Sequence, residues 1–114
     1  MQVHYLEIVT DDVDGVCETH AKLHGVAFSA GEPQLGGART AQLSGGGVLG
    51  VRAPLSPTET PVVRPYALVA DIEATVAAAT AAGALVALPP MKLGDHGTCA
   101  ILIQGGVQLG LWQR

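Results

Sequence analysis

The chain closes on Gly105–Arg114, GGVQLGLWQR, and an earlier stretch, Gly45–Pro54, reads GGGVLGVRAP. In both, a glycine pair leads into a strand-like run, and a further glycine, Gly50 or Gly110, interrupts that run. Glycine weakens a strand interior through backbone entropy and offers no side chain to pack. Its recurrence at one spacing therefore marks a shared architectural position. The pairs Gly45/Gly105, Gly46/Gly106, Leu49/Leu109 and Gly50/Gly110 stand 60 residues apart, as do His4/Arg64 and Asp11/Asp71. An internal repeat this regular governs the reading of every other residue.

Upstream of each glycine pair the same grammar appears. VHYLEIV (3–9) predicts a strand partly covered on both faces; Asp11 or Asp12 then caps a helix with Asp14 in its first turn. Val13, Val16, Cys17, His20 and Leu23 recur at helical spacing, and Gly25 ends the run. Three short strands are expected next, VAFSA (26–30), RTAQLS (39–44) and GVLGVRA (47–53), separated by turn residues. PLSPTETP (54–61) cannot sit in a helix or central strand and predicts an extended connector.

Beyond it the order restarts. RPYALVA (64–70) is a strand, Asp71 a cap, Glu73 a first-turn acid, and an alanine-rich helix runs to Ala82 before Gly83. LVALPP (85–90), TCAILIQ (98–104) and VQLGLWQ (107–113) complete the set. The expected class is α+β: two tandem βαβββ modules, 1–53 and 64–114, joined by a connector at 54–63 within a single domain, 1–114. Modules this small cannot each bury both faces of a sheet, so the expectation is paired curved mixed sheets around a cup-like cavity, one helix outside each.

Composition narrows the function classes. Apolar residues make up 48% and charged residues 14% of the chain, which favours folding over disorder. A net charge of −4 without any Lys/Arg cluster argues against nucleic acid or an anionic membrane as partner. No apolar run reaches the roughly 18 residues of a membrane span, and the N-terminus opens on a strand pattern, so a cytoplasmic protein is expected. The low charge favours a homodimer. Cys17 and Cys99 form no C-x-x-C pair and are read as reduced, buried thiols.

HYLEIVTDDVDG (4–15), RPYALVADIEATVAAATAAG (64–83) and GGVQLGLWQ (105–113) together resemble the vicinal oxygen chelate superfamily, the glyoxalase/bleomycin-resistance/dioxygenase group of paired βαβββ modules. The resemblance covers essentially the whole chain. In metal-using members it implies four ligands: a His or Gln seven residues before each helix-leading Asp, and a Glu four residues after each hairpin glycine. Those places fall here on His4, Arg64, Gly50 and Gly110. One donor of four remains, glycine offers none, and a permanent guanidinium repels a cation, so no metal and no cofactor are expected. Each glycine then removes a ligand and leaves room in the cup, unless it marks a close approach of backbone instead.

Strand alternation directs His4, Leu6 and Ile8 inward with Arg64, Tyr66 and Leu68, opposite Val48, Gly50, Arg52, Gln108, Gly110 and Trp112, and turns Glu7 to the helix side. His4, Arg52, Arg64, Tyr66, Gln108 and Trp112 are the candidate ligand-binding residues. Two arginines suit an acidic or electron-rich group. Duller readings stand beside these: a backbone partner for His4, arginines that are solvated or paired with Glu59 or Asp71, a core or dimer-interface plug for Trp112, and for Glu7 a buried ion pair on the helix side as readily as a catalytic role. His96 is expected at the surface, and His20 and His24, four apart on a helix, as surface or packing residues.

Three functions follow. The first is metal-independent binding of a small, partly aromatic or amphipathic organic ligand, as in drug-binding members of the resembled family. The second is a metal-independent isomerase, lyase or hydrolase with His4 as general base and Arg64 or Arg52 as electrostatic stabiliser. The third is an association domain whose cup is filled by its own side chains.

Overall fold

Two adjacent acids compete to cap the first helix, and the second one does so. In the computed structural model, which describes residues 1–114, the Gly15 amide donates to Asp12 Oδ1 at 3.2 Å, and helix α1 runs Val13–His24. Gly25 closes it in the left-handed conformation at φ 64°. Strands β1 (Val3–Val9), β2 (Arg39–Gln42), β3 (Val48–Arg52), β4 (Val62–Leu68), β5 (Leu85–Lys92), β6 (Thr98–Gln104) and β7 (Val107–Gln113) and helix α2 (Ile72–Ala81) complete the regular elements with two one-turn 3-10 helices. Neither α-helix is long and apolar enough to cross a membrane. The chain forms two compact units, Tyr5–Val63 and Met1–His4 with Arg64–Arg114.

In the unit Tyr5–Val63, β1 runs parallel to β3, which pairs antiparallel with β2. Ile8, Cys17, Leu49 and Val51 form its core, with Leu6, Val13, Val16, Phe28 and Leu43 packed against them. Leu6 and Ile8 therefore face α1, which leaves Tyr5, Glu7 and Val9 on the opposite face. This corrects the expected orientation of β1. The cause is the cap: seven residues before Asp71 is Arg64, but seven before Asp12 is Tyr5, not His4, and a one-residue slip turns every side chain over.

The cap assignment carries its own test. Asp12→Ala is expected to lower unfolding stability by about 0.5–2 kcal/mol, the usual cost of a lost N-cap. Asp11→Ala, at an exposed position, should stay within about 0.5 kcal/mol of the parent in the same urea titration. Equal losses would return the register to Asp11.

The first module has one strand fewer than expected. Val26–Ala30 is irregular, although Ser29 N donates to Thr40 O at 2.8 Å. The return bond is made by a side chain, because Thr40 N donates to Ser29 Oγ at 3.0 Å. A hydroxyl that takes a ladder position satisfies the neighbour without extending the ladder. The connector is also not simply extended. It turns at Ser56–Glu59, with Glu59 N donating to Ser56 O, and the Glu59 carboxylate folds back to accept from Leu55 N at 2.7 Å.

The other unit carries a complete βαβββ order: β4 is parallel to β7, β7 antiparallel to β6, and β6 antiparallel to β5. Ala67, Ile72, Ala100, Leu102 and Leu111 are its core, covered by Val69, Val76, Ala79 and Leu109. Fully burying a leucine of this set is worth about 1.5–3 kcal/mol. Both ends of α2 are tied down. Asp71 Oδ1 accepts from Ala74 N, Gln113 Oε1 accepts from Ile72 N, and Gln104 Nε2 donates to Ala82 O. These bonds satisfy amides and a carbonyl that a helix end otherwise leaves unpaired. Leu68 N donates to Gln2 O at 2.8 Å, which joins the N-terminal residues to β4.

Candidate functional site

Because Ala67, Leu109 and Leu111 point to α2, their neighbours Arg64, Tyr66, Gln108, Gly110 and Trp112 lie on the opposite face, as strand alternation predicts. Tyr66 pairs with Gly110 and Leu68 with Trp112 across β4 and β7. Cys99 and Ile101, opposite Trp112 and Gly110 on β6, share that face. Cys99 is buried, as its sequence setting predicts, and its pairing with Trp112 places it on this face.

An aromatic group forms at one end of this face. The Trp112 ring lies 5.7 Å from Tyr66, edge to face at 87°, and 5.3 Å from the His4 ring, tilted at 55°. Edge-to-face rings gain about 0.5–1.5 kcal/mol beyond their burial. Trp112 Nε1 donates to the backbone oxygen of His96 at 2.9 Å, which fixes the indole. The His96 side chain is exposed, as expected. Arg64, only 6% exposed, donates from Nε to Gln108 Oε1 at 2.8 Å. Five of the six candidate residues, all but Arg52, are thus brought together in one unit: an aromatic trio beside a buried guanidinium and its amide partner.

Arg52 stands in the other unit and has different company. Its Nε donates to Glu7 Oε2 at 2.8 Å, Nη1 and Nη2 to the two Glu59 oxygens at 2.7 and 2.8 Å, and Nη1 also to Ala53 O. The hydrogen bonds to Glu59 lead the effects that hold its pKa above the ordinary arginine value. Pairing with Glu59 was among the readings left open by the sequence; for Glu7 a buried ion pair or a catalytic role was expected on the helix side, and its pairing with Arg52 follows from the one-residue shift of β1. Beside it, burial raises the Tyr5 hydroxyl pKa above the ordinary tyrosine value, and the Glu7 charge adds to the rise.

The two strand glycines now have a cause. A Cβ on Gly110 would run into Cγ and Cδ2 of Tyr66, and one on Gly50 into the hydroxyl and ring of Tyr5. Aromatic rings, not open space, lie above them. The reading that each glycine leaves room is corrected, and the close approach comes from side chains rather than backbone.

His4 is half-buried. Burial lowers its pKa below 6.5, and the positive charge of Arg114 lowers it further. A histidine that resists protonation when folded supports the fold above the unfolded pKa of 6.5 and loses that support as pH falls below it, because the unfolded chain binds the proton more readily. His4→Gln should therefore remove part of the acid-side decline in thermal stability. The parent-minus-variant difference in Tm should shrink as pH drops from 7 towards 5, and an unchanged difference would contradict the shift. Cys17 is buried, its thiol pKa raised by burial first, and neither cysteine is in a disulfide.

The metal implied by the resembled family does not fit these residues. The corrected count puts Tyr5, Gly50, Arg64 and Gly110 at the four ligand places. No three His, Cys, Asp or Glu side chains gather to hold an ion.

No protein-family model matches the chain, and no curated protein matches it. Solved structures do. A hypothetical protein from Bacillus halodurans C-125 is similar with a TM-score of 0.73 and 15% identity, over 99% of this chain and 94% of that one. Methylmalonyl-CoA epimerase from Mycobacterium tuberculosis is similar with a TM-score of 0.72 and 18% identity, over 97% and 86%. The Streptomyces coelicolor methylmalonyl-CoA epimerase, in complex with 2-nitronate-propionyl-CoA, follows with a TM-score of 0.63 and 21% identity, over 99% and 96%. At these identities the likeness is one of fold: the chain has the vicinal-oxygen-chelate type of α+β fold that these epimerases share.

Proposed function

We propose that the chain is a metal-independent small-molecule-binding protein that takes a small, partly aromatic or amphipathic ligand with an acidic group on the Arg64 face. The observation that carries this is the buried Arg64–Gln108 pair set beside the His4–Trp112–Tyr66 rings. A guanidinium fork matches a carboxylate, and ring edges match a flat apolar body. Arg52, whose donors go to Glu7, Glu59 and Ala53, serves structure in this reading. The complex of the Streptomyces coelicolor epimerase with 2-nitronate-propionyl-CoA supports the use of such a fold for an organic acyl compound. The paired-module cup and the homodimer belong to the same proposal.

Trp112 is the chain's only tryptophan, so its fluorescence reports directly on the site. Titration with a set of aromatic and short-chain carboxylates should give saturable quenching. Arg64→Met should weaken it by roughly tenfold or more, the loss expected when one charged hydrogen-bond partner of about 1.5–3 kcal/mol is removed. Binding that disappears with EDTA and returns with a divalent ion would overturn metal independence. Saturation with unchanged affinity in Arg64→Met would overturn the site.

One feature favours the enzymatic alternative. Burial and then the Arg114 charge push the His4 pKa below its ordinary value, which favours the neutral imidazole that a general base requires. Turnover of a bound carbonyl compound that is lost in His4→Ala, with ligand binding retained, would select the isomerase, lyase or hydrolase reading.

A further inference from the structure

On α1, His20 and His24 stand four residues apart with Nδ1 of the first 3.1 Å from Nε2 of the second. The two rings stack at 5.3 Å and 23°. His24 is exposed and His20 half-exposed. We propose that this pair is a two-point chelate for a borderline d-block dication, such as Cu2+, Ni2+ or Zn2+, with water in the remaining positions.

The geometry suits the ion. With metal–nitrogen bonds of about 2.0–2.1 Å, donors 3.1 Å apart subtend roughly 100° at the metal, between a square-planar and a tetrahedral angle. Imidazole nitrogen selects these ions over Mg2+ and Ca2+, which take oxygen ligands. In the apo pair one ring donates an N–H to the facing nitrogen. The tautomer that carries this proton on the ring's other nitrogen turns both facing lone pairs to the metal. No third His, Cys, Asp or Glu joins the pair, which leaves the rest of the coordination shell to water. The chelate bridges the last two turns of α1 next to the Gly25 cap.

Binding of Cu2+ to the full chain tests this independently of any organic ligand. Electron paramagnetic resonance should show two equivalent-type nitrogen donors, and added Ni2+ or Zn2+ should raise the unfolding midpoint while Mg2+ does not. His24→Gln should leave one nitrogen and weaken Cu2+ binding by roughly a hundredfold, the low end of the gain from tethering a second donor. His20→Asn should do the same, and His96→Gln should change nothing. Hydrogen exchange at the Val26 amide, which donates to Ala21 O, should slow with metal in the parent only. A single-nitrogen spectrum in the parent, or His20→Asn and His24→Gln chains that bind as tightly as it does, would overturn the proposal. Failure here leaves the Arg64 reading intact, because that reading is scored by Trp112 fluorescence without metal.

Discussion

Arg52→Met is expected to destabilise the protein by roughly 3–5 kcal/mol, the usual cost of removing one partner from a buried ion pair. Glu7 and Arg52 have side chains only 8% and 7% exposed, whereas Glu59 is 22% exposed. Without the guanidinium, the Glu7 carboxylate stays desolvated next to the buried Tyr5 ring and near Glu59, with its main compensating charge gone. Glu59→Gln should cost less, about 1 kcal/mol, because water already reaches that carboxylate. The double variant Glu7→Gln/Arg52→Met should be more stable than Arg52→Met alone, since it removes the buried charge that the single change strands. Urea midpoints of the three chains decide it. A cost below about 1 kcal/mol for Arg52→Met would mean that water screens the pair and that its burial is not maintained in solution.

That network also shows where the sequence was legible and where it was not. Periodicity and caps were enough to read α1, α2 and all seven strands near their observed bounds, with an eighth expected at 26–30 that does not form, and alternation along β4 and β7 put Arg64, Tyr66, Gln108 and Trp112 on one face. These are local signals. The orientation of β1 was not local in the same way: Asp11 and Asp12 are chemically equivalent caps, and the 60-residue match of His4 with Arg64 favoured the wrong one. Only the bond from Gly15 N to Asp12 separates them. With Asp12 as cap, Glu7 leaves the helix side and meets Arg52. The supposed strand Val26–Ala30 failed for a related reason, because its β propensity is overridden by the Ser29 hydroxyl at Thr40 N. Glu59 was legible as a partner for an arginine, but the proline count suggested an extended chain, and it is the turn at Ser56–Glu59 that brings its carboxylate to Arg52.

Gly110→Ala should cost about 2–3 kcal/mol, at the upper part of the range for overpacking a well-filled interior. The added methyl meets Tyr66 at Cγ and Cδ2, close to the root of its side chain, so the ring cannot swing clear without leaving Trp112. Gly50→Ala meets Tyr5 near its far end and should cost less, because a small rotation relieves it. In a Tyr66→Leu background, Gly110→Ala should lose most of its effect, giving a coupling of about 1–2 kcal/mol in a double-mutant cycle. A neutral Gly110→Ala in the parent would show that Tyr66 does not occupy that space. The expected loss has a chemical corollary: a carboxylate at position 110 and the Tyr66 ring compete for one volume, so Gly110→Glu alone should unfold the site rather than create a metal ligand. Tyr66 would have to shrink first, and Arg64 would still repel the ion. The strand glycine is thus a consequence of the ring above it, and the same ring closes off metal chemistry at that place.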